Sequence, residues 1–290
     1  MDTFTLGQFT VRRIGFGAMQ LPGAGVMGPP NDPDEAIRVL RRAVELGVNH
    51  IDTAQYYGPD VSNRLIREAL YPYPDDLVIV SKIGAVRDAE GGWPPAQRPR
   101  ELRSAVEDNL RTLGIERLAA VNLRLMDEPP ADPEQRVPLT DQLAELVALR
   151  EEGKIAGIGI STAGREQVEQ AIDEAGIVCV QNAFSLLDQR DADVLQLCHD
   201  RGIAYVPYFP LGSAFPWVPK VTEDPDVQEV ARRVGATPAQ VGLAWLLAYR
   251  ENILLIPGTS RVAHLELNLA AADVKLSDDD LALLGAAGRH

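Results

Sequence analysis

The sequence predicts an α/β fold, a closed (β/α)8 barrel of the TIM type, carried by one domain over residues 1–290. Three observations predict it. Short β-rich runs alternate with amphipathic helical patterns, eight of each, without a break in the rhythm. Polar residues cluster where the β-rich runs end, as expected of a barrel whose site lies at the C-terminal ends of its strands. A doubly wound open sheet is the alternative, and the first βα turn lacks the G-x-G-x-x-G fingerprint that would favour it.

Taken in order, "F-T-L-G-Q-F-T-V" (4–11) alternates apolar and polar residues around Gly7–Gln8 and reads as a hairpin. The β-rich runs lie near 14–17, 48–52, 77–82, 118–125, 155–160, 177–182, 203–207 and 253–256. Helical patterns lie near 33–46, 62–71, 100–113, 140–152, 164–174, 191–201, 238–249 and 261–271. Asp32–Pro33 and Thr237–Pro238 each place a capping residue before proline at the first helical position. Gly47 and Gly114 fall where a helix should stop. Two connections are long, 84–98 with Gly91, Gly92 and Trp93, and 209–224 with Phe215 and Trp217, and the connection at 19–31 is rich in Gly and Pro. Long loops in compact domains are usually functional, so these are expected to form the walls of a site.

Composition narrows the function. The apolar fraction of 46% is that of a globular chain able to bury a core. Net charge is −14 and no Lys/Arg-rich run occurs, which argues against nucleic acid as a partner. The start lacks the basic and apolar regions of a signal peptide, and no apolar stretch is long enough to span a membrane, so a cytoplasmic protein is expected. Cys179 and Cys198 make no disulfide framework, and Cys179 sits in an apolar run as a small core residue. The four histidines show no zinc-like spacing, and no metal is expected. Oligomeric state is not legible.

Asp52, Tyr57 and Lys82 carry the chemistry. They stand in "H-I-D-T-A-Q-Y-Y-G" (50–58) and "V-I-V-S-K-I-G" (78–84), where a charged residue ends or follows an apolar run. Buried charges are expensive unless they meet, so neighbouring strands would pair Asp52 with Lys82 and leave Tyr57 over them. An ammonium beside a phenol should pull the phenol below its free pKa of roughly 10 and make it a proton donor for a carbonyl. The plainer reading is a buried ion pair and a surface tyrosine. A third reading makes Lys82 a Schiff-base amine, which a nearby Asp52 opposes by keeping the amine charged. Arg124 shares strand parity with Asn122 and can point inward. Its plainer role is a salt bridge facing away. His50 shares parity with Asp52 and reads as a core histidine one layer lower.

The motifs together resemble the aldo-keto reductases. "D-T-A-x-x-Y-G", a strand ending in "S-K", then "Q-N", "Y-F-P-L-G" and "I-P-G-T-S" keep that family's order and spacing over residues 9–287. "G-F-G-A-M-Q-L", "I-R-E-A-L-Y-P-Y", "V-N-L-R" and "L-A-W-L-L" match its bacterial pyridoxal reductase branch more closely still. The resemblance implies a hairpin closing the barrel floor, NADP(H) as cofactor and reduction of a small aldehyde or ketone to an alcohol. Pyridoxal is the best substrate guess. It implies Tyr57 as the acid rather than Tyr56, with Lys82 and Asp52 behind it. Arg124 stands where most relatives carry histidine, if residues 113–127 are aligned without gaps. It implies cofactor contacts at Ser161, Thr162, Gln181, Tyr208, Leu211, Gly212, Ser213, Gly258, Thr259, Ser260, Arg261 and Asn268. Gly258 and His264 replace a lysine and an arginine that contact the phosphate in some relatives. Substrate walls are expected at Met19, Tyr56, Trp93 and Trp217. Some proteins of this kind bind NADP as redox-reporting regulatory subunits, which is the alternative function.

Overall fold

Strands β1 (Thr3–Leu6) and β2 (Phe9–Arg12) form the antiparallel hairpin, turning at Gly7. The structure, a computed structural model, describes residues 2–126, 129–212 and 218–287. After the hairpin come β3 (Phe16–Gly17), β4 (His50–Asp52), β5 (Val78–Ile83), β6 (Ala120–Arg124), β7 (Ile158–Ser161), β8 (Cys179–Gln181) and β9 (Ala204–Tyr205). These seven lie side by side in chain order, each parallel to the next.

The ring closes through the segment around 253–255. Ile253 bridges Tyr205 on one side and Leu255 bridges Ile14 on the other. Leu254 N donates to Tyr205 O at 2.9 Å and Gly15 N to Leu255 O at 2.8 Å. The expected eighth strand is therefore present as isolated bridges rather than a continuous ladder. Pro257 follows closely and has no backbone N–H to extend it.

Helices α1 (Pro33–Glu45), α2 (Val61–Leu70), α3 (Pro99–Leu113), α4 (Leu139–Glu151), α5 (Arg165–Ala175) and α6 (Ala192–Asp200) follow successive strands. Helices α7 (Pro225–Val234), α8 (Pro238–Tyr249), α9 (Val262–Ala270) and α10 (Asp278–Ala287) complete the chain. Their ends follow the caps the sequence carries. Asp32 accepts from Glu35 N at 2.9 Å, and Thr237 and Gln240 cap each other. Gly114 stops α3 at φ +70°. Helices α7 and α10 are additions to the eight expected. Both carry start signals, Asp224–Pro225 for α7 and the pairing of Ser277 with Asp280 for α10.

Strand alternation divides the interior in two. Outward residues such as Ile51, Ile79, Val121, Ile160 and Val180 meet the apolar helix faces. Inward residues Val78, Val80, Ala120, Cys179 and Ala204 pack with Leu6 and Val11 of the hairpin. Those strand residues lie toward the N-terminal ends, so the hairpin closes the floor and leaves the other end for a site. His50 lies in this interior below Asp52, and burial lowers its pKa to about 4, which keeps the ring neutral. No helix among the described residues is long and apolar enough to cross a membrane.

Candidate active site

Asp52 ends β4 and Lys82 lies near the end of β5, both facing inward. Register pairs Asp52 with Val80, so Lys82 stands one inward step further up its strand and its chain reaches back to the carboxylate. Lys82 Nζ donates to Asp52 Oδ1, and Gln181 Nε2 donates to Asp52 Oδ2 at 3.0 Å. Asp52 is 3% exposed and Lys82 7%, so the charges meet out of bulk water. Both carboxylate oxygens are engaged, which lowers the cost of burying them.

Tyr57 is carried by a turn directly after β4. Its N–H donates to Ala54 O at 3.0 Å, and Gly58 follows at φ +95°, a conformation glycine adopts without penalty. The Lys82 ammonium lies 5.4 Å from the Tyr57 ring centroid. The phenol is nevertheless pushed well above its ordinary value, first by burial and then by the Asp52 carboxylate, with Arg124 pulling the other way. This reverses the expected direction. Lys82 is matched by Asp52, so its charge does not act on the phenol alone, and desolvation prevails. Tyr57 is held as a neutral phenol.

Arg124 ends β6 beside this group, and Nη1 lies 3.2 Å from Met126 Sδ. No carboxylate pairs with it among the described residues. Met126 packs against the cluster of Tyr56 and Tyr57, so the guanidinium lies on their side rather than facing away, and its charge opposes the rise in pKa of both phenols. Gly84 lets the strands meet here, since a Cβ would stand 2.6 Å from Arg124 O.

Tyr56, Tyr57 and Trp93 form an edge-to-face trio with ring centroids 5.3–6.1 Å apart, flanked by Met19 and Met126. The Tyr56 hydroxyl is buried without a partner among the described residues, and burial raises its pKa. Arg87, which no sequence motif marks, lies 3.9 Å over the Trp93 ring and donates to Gly25 O at 2.6 Å. It ties the loop at 84–98 to the loop at 19–31, which is tied in turn to Gly58 through Val26 O and Gly28 N. The walls are one connected rim.

The groups expected to contact the cofactor lie around the other half of the mouth. Ser161 ends β7, and Thr162 follows at φ +60°, its N–H donating to Gln181 O at 3.2 Å. Val26, Asp60, Thr162 and Phe209 are the four non-glycine residues with positive φ among those described, and all lie on strand-to-helix loops at this end. Such strain concentrates at functional sites. Tyr208 bridges Ala183 and packs edge-on against Phe209. Leu211 and Gly212 follow, while Ser213, Phe215 and Trp217 lie outside the described residues. Gly258, Thr259, Ser260 and Arg261 lead into α9, and Asn268 lies on it. Arg261 N bonds Thr259 Oγ1 at 3.2 Å, and Val262 N donates to Glu35 Oε1 of α1 at 3.0 Å. These two amides already have acceptors, so a grip on phosphate falls to the exposed Ser260 and Arg261 side chains. Glu35 has no local sequence signal for this role. Its carboxyl is held below the usual range, first by the Val262 amide and then by Arg38.

Hydroxyls, amides, an aromatic face and a guanidinium around one half of the mouth fit a nicotinamide dinucleotide. The other half combines a buried ion pair, a neutral phenol and a cation. A barrel with this mouth is equipped for carbonyl–alcohol redox chemistry. The profile of the Aldo/keto reductase family matches residues 13–288, and the chain belongs to that family. It is 50% identical to pyridoxine 4-dehydrogenase of Escherichia coli over 290 residues, covering 100% of this chain and 99% of the relative. An uncharacterised oxidoreductase of Schizosaccharomyces pombe is 37% identical, over 99% of this chain and 90% of the relative. A crystal structure of a thermostable aldo-keto reductase with the inhibitor epalrestat superposes with a TM-score of 0.83 at 31% identity, covering 99% of this chain and 100% of that one. One from Klebsiella pneumoniae in complex with NADP and acetate gives 0.81 at 25% identity, covering 98% and 94%. The chain is thus an oxidoreductase of the aldo-keto reductase type.

Proposed function

We propose that the protein reduces pyridoxal to pyridoxine with NADPH, with Tyr57 as the proton donor. The observation that carries this reading is the neutral Tyr57 phenol placed over the buried Asp52–Lys82 pair and beside Arg124. The relation to a pyridoxine 4-dehydrogenase supports the choice of substrate.

When bound, the cofactor supplies the hydride that forms the new C–H bond. Tyr57 gives its proton to the carbonyl oxygen, and the product leaves as the alcohol. A phenol held well above its ordinary pKa keeps this proton through neutral pH and yields it to a developing alkoxide. Lys82 and Arg124 then stabilise the tyrosinate, and Asp52 with Gln181 holds Lys82 in place. Met19, Tyr56 and Trp93 line an apolar slot for a flat ring, with Tyr56 serving as wall because its hydroxyl is sealed. Ser161, Thr162, Gln181 and Tyr208 hold the nicotinamide end of the cofactor, and Leu211 and Gly212 approach the pyrophosphate. Gly258, Thr259, Ser260, Arg261 and Asn268 hold its adenosine end. A regulatory subunit without turnover would not need this set, and a Schiff-base role is opposed by Asp52 on the Lys82 ammonium.

Pyridoxal carries its aldehyde beside a ring hydroxyl that ionises readily. A permanent cation at position 124 can meet that oxygen, whereas histidine could do so only when protonated. Arg124→His should therefore lose more kcat/KM toward pyridoxal than toward benzaldehyde. The excess should be roughly tenfold to a hundredfold, the worth of one charge-assisted hydrogen bond. Equal losses would leave Arg124 as a general carbonyl-orienting group. No NADPH oxidation with pyridoxal by the wild-type enzyme would remove the substrate assignment.

A further inference from the structure

Thr53 and Ser81 are the chain neighbours of Asp52 and Lys82, and strand alternation turns their hydroxyls outward into the helix layer. That layer is otherwise dominated by apolar side chains. Here it holds a polar network. Thr53 Oγ1 donates to Asn63 Oδ1 of α2 at 2.9 Å. Asn63 Nδ2 donates to Asn109 Oδ1 and to Thr112 Oγ1 of α3, each at 2.9 Å. Ser81 Oγ donates to the same Asn109 Oδ1 at 2.6 Å. Asn109 Nδ2 and Thr112 Oγ1 donate to the α3 backbone at Ala105 O (2.8 Å) and Asp108 O (2.7 Å). Thr53, Asn63, Ser81 and Asn109 are 0% exposed.

A buried polar group without a partner costs more than an apolar one, so a network of this kind gains little stability over apolar packing. It gains geometric definition, since each member accepts only narrow positions of its partners. This one joins the C-terminal ends of β4 and β5 through two helices, one residue from each member of the buried ion pair. We propose that Thr53, Asn63, Ser81 and Asn109 are positioning residues for proton transfer. They fix the spacing of the two strand ends, and with it where the Lys82 ammonium stands relative to Tyr57. The inference rests on the roles of Tyr57, Lys82 and Asp52 proposed above.

The test compares Thr53→Val, which keeps the shape and loses the hydroxyl, with Thr53→Ser, which keeps the hydroxyl. Tyr73→Phe is the control. It removes the Tyr73 hydroxyl bond to Leu113 O (2.7 Å), at the end of α3 and outside the network. Single-turnover NADPH oxidation by pyridoxal, NADPH Kd and Tm are measured for each, with Tyr57→Phe alongside. Misplacement at a reacting centre is worth roughly tenfold to a hundredfold in rate. Thr53→Val should lose at least about tenfold, while Thr53→Ser and Tyr73→Phe stay within about twofold of wild type and NADPH Kd holds throughout. A Thr53→Val rate within about twofold of wild type would overturn the proposal, and so would rates that follow Tm across all three variants. A wild-type rate in Tyr57→Phe would instead remove the parent assignment, which separates the two failures.

Discussion

The two halves of the barrel mouth are built differently. Around β4 and β5 the polar side chains are buried at or near the strand ends and held by close partners, as in the cluster of Asp52 and Lys82 with Gln181 of β8. Around β9 and the start of α9 the expected cofactor-binding groups are loop residues, with Ser260 and Arg261 exposed and the nearby amides bonded within the chain. The difference corresponds to two tasks. Proton transfer needs groups fixed in a dry site. Holding a cofactor that enters and leaves needs a surface that can open. Damage to the first half should therefore reach stability and chemistry together, whereas damage to the second should reach affinity alone.

Lys82→Ala should show the largest effect of this kind. It leaves the Asp52 carboxylate buried against one amide, and losing one partner of such a pair costs about 3–5 kcal/mol. Urea unfolding should show that loss, and an unchanged midpoint would mean that water already reaches Asp52. Next comes His50, on the floor side of the same half. Its folded pKa of about 4 lies below the ordinary 6.5, so the unfolded chain binds the extra proton first as pH falls. The His50 contribution is intact above pH 6.5 and is lost as pH falls through about 4, totalling roughly 3 kcal/mol. His50→Phe should flatten that part of the pH–stability curve, and a curve of unchanged slope would show that the ring protonates in the folded state. The smallest effect belongs to the other half. Truncating Ser260 or Arg261 singly to alanine should weaken NADPH binding by about 1.5–3 kcal/mol, the worth of one charge-assisted hydrogen bond. NADH binding and Tm should hardly change. Equal weakening of both cofactors would show that these residues do not read the 2′-phosphate.

The same contrast governs what is legible in the sequence. The barrel is legible because strands buried on both faces leave short apolar runs and because Asp32–Pro33 and Thr237–Pro238 mark helix starts. Asp52, Lys82 and Arg124 are legible because a charge at the end of such a run needs an explanation, whereas Tyr57 is singled out from Tyr56 by the family resemblance. The apolar run at 253–256 locates the eighth strand but does not show that it is reduced to isolated bridges. Helices α7 and α10 carry capping signals yet fall outside the eightfold rhythm that organises the rest. The Asp52–Lys82 pair of neighbouring strands is legible, but pairings between segments far apart in the chain are beyond reach. Gln181 meets Asp52 across 129 residues and Glu35 meets the α9 amide across 227. The direction of the Tyr57 shift is the reverse of the expected one because desolvation depends on the aromatic packing around it, which no spacing in the chain encodes.

The central claim is that Tyr57, not Tyr56, protonates the carbonyl oxygen. Single-turnover oxidation of bound NADPH by pyridoxal tests it most directly, because it reads the chemical step without product release. Tyr57→Phe should slow that step by roughly 10²–10⁴, the usual worth of a general acid, with NADPH affinity unchanged. Tyr56→Phe should stay near wild type, since its hydroxyl is sealed and makes no hydrogen bond among the described residues. A near-wild-type rate in Tyr57→Phe with a large loss in Tyr56→Phe would contradict the account.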